Sequence, residues 1–336
     1  MIITRVGVVG AGIMGSGIAQ VCAVAGLSVT IVEIADAALA KGTSAIRSSL
    51  EKLVSKEKLP PAALDIAIAL ISTTTDYAAL SSCELVIEAA TEDREIKKGI
   101  LKRVDSLLQP SAILATNTSS LSITGLAAGT TRPDRFGGLH FFNPVPVMAL
   151  VEVIRGLGTS EDTQQILLNF ATRIGKTPIA VRNSGGFAVN RILCPMINEA
   201  IFALQDGVAS ADDIDAGMRL GCNHPIGPLA LADMIGLDTL LHRDPRSTRR
   251  YEARVQKGRL GNRWQRLWHQ RRSRSRGTRL RPKGPGTRPQ TNGATRGIRP
   301  CRRRTFGNGH RSGAGDPPGT QARGAFCAGP RCDRIQ

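Results

Sequence analysis

The sequence predicts an α/β fold in which a doubly wound, mostly parallel sheet is followed by a small all-α region. First, an apolar segment at 6–9 leads into a glycine-rich turn. Second, short apolar strand patterns alternate with helical patterns as far as residue 181, which is typical of right-handed βαβ units. Third, only helical patterns follow the glycine pair at 185–186. We therefore expect domains at 1–183 and 184–241, followed by a tail at 242–336.

The glycine-rich turn has the spacing of a dinucleotide-binding fingerprint. Gly10 permits a tight turn, Gly12 lets the backbone approach a pyrophosphate, and Gly15 lets the next helix pack close to the strand. That helix begins at Ile13 and Met14, where unpaired N–H groups favour phosphate binding. We expect these five residues to bind a dinucleotide in a Rossmann-type domain.

A second predicted strand, 28–32, ends at Glu33, which lies 18 residues after Gly15. A carboxylate in this position accepts hydrogen bonds from both ribose hydroxyls of an adenosine. The next residues, 34–36, contain no Arg or Lys to bind a 2′-phosphate, so NAD is favoured over NADP. The alternative for Glu33 is an ordinary solvated side chain at the end of a strand.

The remaining elements follow from apolar periodicity and turn residues. Further strands are predicted at 71–73, 85–88, 112–115, 136–140, 150–154 and 179–181. Helices are predicted at 13–25, 36–58, 62–70, 92–108, 188–205, 211–220 and 228–240, with a kink at Pro195.

The formal net charge of +18 arises in the predicted tail, which contains 26 Lys and Arg residues and 4 Asp and Glu residues. Residues 1–241 carry a net charge of −4. The tail is rich in Arg, Gly and Pro and has almost no aliphatic periodicity, so we expect it to be disordered. A nucleic-acid-binding arm, a solvated linker and a coding sequence read out of frame are the three explanations. The abrupt change after Leu241 favours the third.

Nucleic acid is not an expected partner, because few aromatic residues that could stack on bases, such as Trp264 and Trp268, lie among the Arg clusters, and no binding motif is present. Seven cysteines show no disulfide framework or metal-ligand spacing in the part expected to fold. The first strand leaves no room for a signal peptide, and no apolar run reaches membrane-spanning length. These features favour a cytoplasmic protein with no bound metal.

His140 ends a predicted strand, and Glu152 lies between two valines in the next one. A lone His or Glu is most often structural, but a buried carboxylate needs a partner, and His140 is the nearest candidate. Such a partner would fix the imidazole tautomer and stabilise the protonated ring. The pair therefore has the properties of a general base that removes an alcohol proton.

Five sequence features together resemble the L-3-hydroxyacyl-CoA dehydrogenases, in particular the single-function bacterial 3-hydroxybutyryl-CoA type. They are Gly-Ala-Gly-Ile-Met-Gly at 10–15, Asn-Thr-Ser-Ser-Leu at 117–121, His-Phe-Phe-Asn-Pro at 140–144, Glu152, and Gly-Phe-Ala-Val-Asn-Arg at 186–191. The resemblance covers residues 3 to about 241. It implies NAD-dependent oxidation of a (S)-3-hydroxyacyl-CoA to the 3-oxoacyl-CoA, the reverse reaction, and a homodimer.

The resemblance also implies roles for individual residues. His140 would take the 3-hydroxyl proton with Glu152 as its partner. Ser119 would hydrogen-bond the substrate oxygen beside the cofactor, and Asn190 would orient His140 and the acyl group. Further contacts follow the same resemblance: with NAD for Glu92, Lys97 and Asn143, and with coenzyme A for Ser49 and Lys56. The alternative for Glu92 and Lys97 is helix capping and solvation, and for Ser49 and Lys56 a solvated helix face.

The family continues beyond 236–238 with helices and a Gly-rich segment that this sequence lacks, so we expect an incomplete helical domain. β-Hydroxyacid dehydrogenases use a catalytic lysine where this chain has Asn190 and Arg191, which argues against that related family. A four-carbon acyl chain is expected from the resemblance. An inactive NAD-binding remnant and a 3-hydroxyadipyl-CoA dehydrogenase are the alternatives.

Overall fold

Residues 2–236 of the chain are described by a computed structural model. Eight strands in this part form one sheet: β1 (Arg5–Val9), β2 (Ser28–Val32), β3 (Ile71–Thr74), β4 (Leu85–Glu88), β5 (Ile113–Thr116), β6 (Phe136–Phe141), β7 (Leu150–Arg155) and β8 (Thr177–Arg182). Their order in space is β3-β2-β1-β4-β5-β6-β7-β8. Only β6 and β7 pair antiparallel among these strands. The predicted doubly wound, mostly parallel sheet is confirmed.

The same residues contain nine α-helices: α1 (Ile13–Val24), α2 (Asp36–Ser55), α3 (Pro61–Ala69), α4 (Arg94–Asp105), α5 (Ile123–Ala127), α6 (Glu161–Arg173), α7 (Val189–Gln205), α8 (Ala211–Gly221) and α9 (Pro228–Ile235). Helices α1, α2, α3 and α6 bury apolar side chains on one face of the sheet, and α4 and α5 on the other. Helices α7, α8 and α9 pack on one another, so the predicted all-α region is confirmed. In the described residues, no helix combines the length and apolarity needed to cross a bilayer.

The glycine-rich turn joins β1 directly to α1. Gly10 has a φ of 109°, which places it in the left-handed region that favours glycine. A Cβ on Gly15 would collide with the carbonyl oxygen of Gly10. The close approach of α1 to the turn therefore depends on glycine at both positions.

The antiparallel pair β6 and β7 follows from a short connection. Only residues 142–149 separate the two strands, which is too short for the crossover that a parallel pair requires. The register places His140 opposite Glu152. The hairpin geometry thus puts an imidazole and a carboxylate on neighbouring strands, on the same face of the sheet.

Three helices differ from their predicted extent by two residues or more. Helix α4 begins at Arg94 rather than 92, because the Asp93 carboxylate accepts the N–H groups of Glu95 and Ile96 and caps the helix. Helix α2 ends at Ser55 rather than 58, and Glu57 has a φ of 55°, which is typical of a chain leaving a helix. Helix α9 ends at Ile235, and its predicted continuation to 240 lies largely outside the described residues.

Helices α5 and α6 were not predicted from the sequence. Helix α6 has a Ser160 N-cap, acidic residues in its first turn and a buried apolar stripe that includes Ile166 and Phe170. These are ordinary signals of an amphipathic helix, so α6 was predictable.

Helix α7 runs from Val189 to Gln205 through Pro195 without interruption. The predicted disorder of the tail concerns residues outside the described range.

Candidate active site

The central feature of the site is the His140–Glu152 pair. The imidazole Nδ1 lies 2.6 Å from Oε2 of Glu152, and both side chains are buried. Burial by itself would raise the pKa of Glu152, but hydrogen bonds from His140, Val189 and Ala188 outweigh it and hold the pKa below its usual value. Glu152 is therefore an ionised acceptor, which requires the proton of the neutral ring to be on Nδ1 and leaves Nε2 as the free base.

The second oxygen of Glu152 connects the sheet to the helical region. Oε1 accepts the backbone N–H groups of Ala188 and Val189, at 2.9 and 3.0 Å. These donors lie at the start of α7, where N–H groups lack partners within the helix. The carboxylate is thus fully used, with one oxygen for His140 and the other for α7. The carboxylate cannot rotate without losing both sets of bonds.

Ser119 lies in the loop after β5, and Glu92 holds this loop in place. Oε2 of Glu92 accepts the Thr118 hydroxyl at 2.8 Å, and Oε1 accepts the Ser119 N–H at 2.7 Å. Glu92 itself lies in the loop after β4, because Asp93 caps α4. The alternative that Glu92 caps a helix is therefore wrong. Its predicted contact with NAD remains a prediction.

Asn190 is placed beside Ser119. Its side chain is 2% exposed, and its Nδ2 lies 3.5 Å from the backbone oxygen of Ser119, a long hydrogen bond. Its Oδ1 is buried and accepts no hydrogen bond from the described residues. A buried amide oxygen without a donor is unfavourable, so a ligand hydroxyl or amide would be well accommodated there.

The glycine-rich turn and Glu33 meet at the carboxyl ends of β1 and β2. Oε2 of Glu33 accepts the Ala11 N–H at 3.0 Å, so the carboxylate touches the turn itself. No side chain caps the start of α1, which leaves its first N–H groups available to an anion. A Cβ at Gly12 would meet nothing within 4 Å, so the space above the turn is open. Ile13, next in the chain, is exposed, and Met14 is partly buried against the core.

Lys97 is placed differently from the expectation. It has no exposed surface, and its ammonium lies 2.5 Å from Oε2 of Glu88 and 3.3 Å from the Thr116 hydroxyl. The alternative of a solvated lysine is wrong, because α4 turns this side chain into the sheet towards Glu88. The predicted contact with NAD gains no support, since every atom of Lys97 is covered by protein.

The loop after β6 carries Asn143, which is exposed. Asn117 fixes the start of this loop, because its Oδ1 accepts the Phe141 N–H at 3.0 Å. Asn117 thereby ties the ends of β5 and β6, and so the Ser119 loop and His140, to each other. This role of Asn117, the first residue of the Asn-Thr-Ser-Ser-Leu motif, was not predicted from the sequence.

Ser49 lies on helix α2, and Lys56 lies just after it. Ser49 is half-buried, and Lys56 is exposed. Helix α2 packs against α1, α3 and β3. A cleft of about 440 Å³ opens beside its N-terminal half and includes Thr43, Arg47 and Thr73 in its lining. Neither predicted residue lines this cleft, and their contact with coenzyme A remains a prediction.

Comparison with known proteins identifies the family. The model for the 3-hydroxyacyl-CoA dehydrogenase NAD binding domain matches residues 5–184, and the model for the C-terminal domain of the same family matches 186–276. The chain belongs to the 3-hydroxyacyl-CoA dehydrogenase family. The two models divide beside the predicted boundary at 183/184, and the second runs past residue 241 into the predicted tail.

Individual members of the 3-hydroxyacyl-CoA dehydrogenase family agree with this. The chain is 48% identical to the 3-hydroxybutyryl-CoA dehydrogenase of Clostridioides difficile over 237 residues, which is 70% of this chain and 84% of that protein. It is 44% identical to human mitochondrial hydroxyacyl-coenzyme A dehydrogenase over 245 residues, covering 71% and 78%. The crystal structure of the (S)-3-hydroxybutyryl-CoA dehydrogenase of Ralstonia eutropha is similar with a TM-score of 0.71 and 54% identity, covering 76% of this chain and 95% of that one.

Proposed function

We propose that this 3-hydroxyacyl-CoA dehydrogenase binds NAD and oxidises the hydroxyl of a short (S)-3-hydroxyacyl-CoA, 3-hydroxybutyryl-CoA, to the 3-oxoacyl-CoA, and catalyses the reverse reaction. The observation that carries the proposal is the buried His140–Glu152 pair, which lies on the same sheet as an open dinucleotide turn. Oxidation of a secondary alcohol requires a proton acceptor and a hydride acceptor at one carbon. Bound NAD supplies the hydride acceptor.

His140 acts as the proton acceptor in this proposal. Its Nδ1–H is engaged by Glu152, so Nε2 is free to accept the 3-hydroxyl proton. The ring then becomes an imidazolium, and the ionised Glu152 stabilises its positive charge through a charge-assisted hydrogen bond. In the reverse direction the imidazolium returns the proton to the 3-oxo oxygen.

Ser119 and Asn190 would hold the substrate oxygen and the acyl group. The Ser119 backbone is fixed by Glu92, and the Asn190 amide lies against it with an unused Oδ1. Groups held in this way reduce the freedom that the substrate must lose to reach a reactive geometry. Both residues are therefore assigned to orienting the substrate beside His140.

The dinucleotide turn favours NAD over NADP. The Glu33 carboxylate lies against the turn, where it would accept ribose hydroxyls and repel a 2′-phosphate. Gly10, Gly12, Gly15, Ile13 and Met14 would contact the cofactor, as would Asn143 in the loop after β6. The family model for an NAD binding domain supports this choice.

The four-carbon substrate is supported by the names of the relatives. The Clostridioides difficile and Ralstonia eutropha proteins are both 3-hydroxybutyryl-CoA dehydrogenases, at 48% and 54% identity. Coenzyme A contacts are proposed for Ser49 and Lys56. The homodimer and the cytoplasmic location remain predictions.

The test is consumption of NADH with acetoacetyl-CoA, compared with NADPH and with CoA esters of longer and dicarboxylic acyl chains. Rapid turnover with NADH and the four-carbon ester is expected. NADH binding without turnover of any ester would instead indicate a non-catalytic NAD-binding protein. Preference for the dicarboxylic ester would favour a 3-hydroxyadipyl-CoA dehydrogenase.

The variant His140→Gln tests the base. Loss of a general base lowers kcat by about 10²–10⁴-fold. NADH binding, followed by fluorescence titration, should stay close to that of the unsubstituted chain, because His140 lies outside the glycine turn. Unchanged turnover would refute the assignment of His140 as the base.

A further inference from the structure

Lys176 is a buried lysine that the proposed reaction does not use. It lies just before β8, its side chain is 8% exposed, and its ammonium donates to two backbone carbonyls, Val145 at 2.5 Å and Met148 at 2.8 Å. Both carbonyls belong to residues 142–149, the hairpin connection between β6 and β7. This connection joins the strand of His140 to the strand of Glu152.

The partners of this ammonium are unusual for a buried charge. In the described range, no carboxylate forms an ion pair with Lys176. Burial lowers the pKa of Lys176, and the neighbouring Cys22 acts in the opposite direction. A buried ammonium held by carbonyls alone is costly, because no opposite charge offsets the loss of its hydration.

Two other contacts also hold the hairpin connection. The Thr177 N–H, next to Lys176, donates to the Ala149 carbonyl at 2.8 Å. Val145 also packs on Gly17 of α1, where an added Cβ would lie only 2.8 Å from the Val145 Cβ. Helix α1 begins at the dinucleotide turn. The connection is thus in contact with both α1 and Lys176.

We propose that Lys176 is a positioning residue, which fixes the hairpin connection against α1 and thereby sets where His140 stands relative to the dinucleotide turn. Lys176 does not touch the reacting atoms. It determines the placement of the end of β6, which carries His140, and of Asn143 in the hairpin connection. The catalytic part of this inference rests on the proposed function, whereas the anchoring of the connection does not.

The test compares Lys176→Met with a matched control, Arg173→Met. Arg173 lies three residues earlier and donates to the Ile3 carbonyl, away from the hairpin connection. Lys176→Met removes the donors but keeps an unbranched side chain of similar length. Two readouts are used: hydrogen exchange of the amides in 142–149, and kcat and KM for NADH and acetoacetyl-CoA.

Lys176→Met should accelerate exchange at 142–149, where the Val147 and Met148 N–H groups bond the Pro144 carbonyl. It should lower kcat by roughly 10- to 100-fold, because small displacements of a catalytic group have effects of that size. KM for NADH should change little. Arg173→Met should leave both the exchange and kcat near those of the unsubstituted chain.

A second variant is used in case Lys176→Met does not fold. Gly17→Ala pushes on Val145 from the α1 side, so it should give the same combination of faster exchange at 142–149 and lower kcat. Unchanged exchange in Lys176→Met, or the same loss of kcat in Arg173→Met, overturns the proposal. If the unsubstituted chain does not oxidise or reduce any ester, the proposed function fails, and the exchange measurement alone decides whether Lys176 anchors the connection.

Discussion

Replacement of Glu152 by Gln is expected to reverse the tautomer of His140. In the structure, Oε1 of Glu152 accepts two N–H groups from α7, and Oε2 accepts the proton of His140 Nδ1. A glutamine has one acceptor oxygen and one donor nitrogen. Because Ala188 and Val189 both require an acceptor, the amide oxygen must face α7, and the amide NH2 group must face His140.

This orientation makes Nδ1 the acceptor and puts the ring proton on Nε2, so the free base is lost. Loss of the charge alone would cost about 1.5–3 kcal/mol, the worth of a hydrogen bond to a charged group, or roughly 10- to 150-fold in kcat. A wrong tautomer costs more. The comparable Asp-to-Asn change in a catalytic triad lowers kcat by about 10⁴-fold.

We therefore expect Glu152→Gln to lower kcat by about 10³- to 10⁴-fold. This loss is larger than that from the charge alone and close to that of the triad change. Stability should change little, because the α7 N–H groups still donate to the amide oxygen, and the bond to His140 is kept with its donor and acceptor exchanged. Glu152→Ala is the contrasting variant. It leaves two α7 N–H groups unpaired, at about 1–3 kcal/mol each, so its Tm should fall.

The assay is steady-state NADH consumption with acetoacetyl-CoA, together with thermal unfolding and NADH fluorescence titration. Both variants should bind NADH, since Glu152 lies away from the glycine turn. The tautomer argument fails if Glu152→Gln keeps kcat within tenfold of the unsubstituted chain. It also fails if Glu152→Gln is as unstable as Glu152→Ala.

Three further predictions concern buried ionisable groups. Lys97→Met leaves the Glu88 charge unpaired and should lower the free energy of unfolding by about 3–5 kcal/mol in denaturant titrations, whereas adding Glu88→Gln should restore part of it. The pKa of the Cys22 thiol is raised to about 12 by burial, so at neutral pH thiol labelling with peptide mapping should modify the exposed Cys222 and leave Cys22 unmodified. The pKa of Asp105 is held below its usual 3.8, against the effect of burial, by hydrogen bonds from Thr131 and Arg132. A depressed pKa stabilises the folded state above the unfolded value, so stability should fall as pH drops below about 4, and Asp105→Asn should reduce that slope.

Sequence patterns were sufficient for the elements that periodicity and glycine define. The strands of the parallel sheet, the glycine turn with Glu33 after β2, and the change to helices after 185 are all present in the structure. Each follows from local rules, because an apolar strand buried on both faces and a turn with positive φ restrict the residues that can occupy them.

The predictions for charged side chains on helices were less successful. Lys97 and Lys56 were both predicted to lie on helices, yet Lys97 is fully buried and Lys56 is exposed. The burial of Lys97 depends on Glu88, a residue of β4 whose side chain lies on the face of the sheet that α4 covers. Helical periodicity predicts which residues share a face of a helix. It does not predict which charged side chains that face contacts on the element packed against it.

The chain by itself determined the fold class, the dinucleotide turn and the pair of residues able to act as a base, because these depend on residue type and on spacing along one or two elements. The tertiary structure decided how the groups are held. It showed that one oxygen of Glu152 binds His140 and the other binds α7. It also showed that Glu92 binds the Ser119 loop and that Lys176 binds the hairpin connection. Such contacts join residues far apart in sequence, and only the packing of sheet against helix brings a donor within bonding distance of its acceptor.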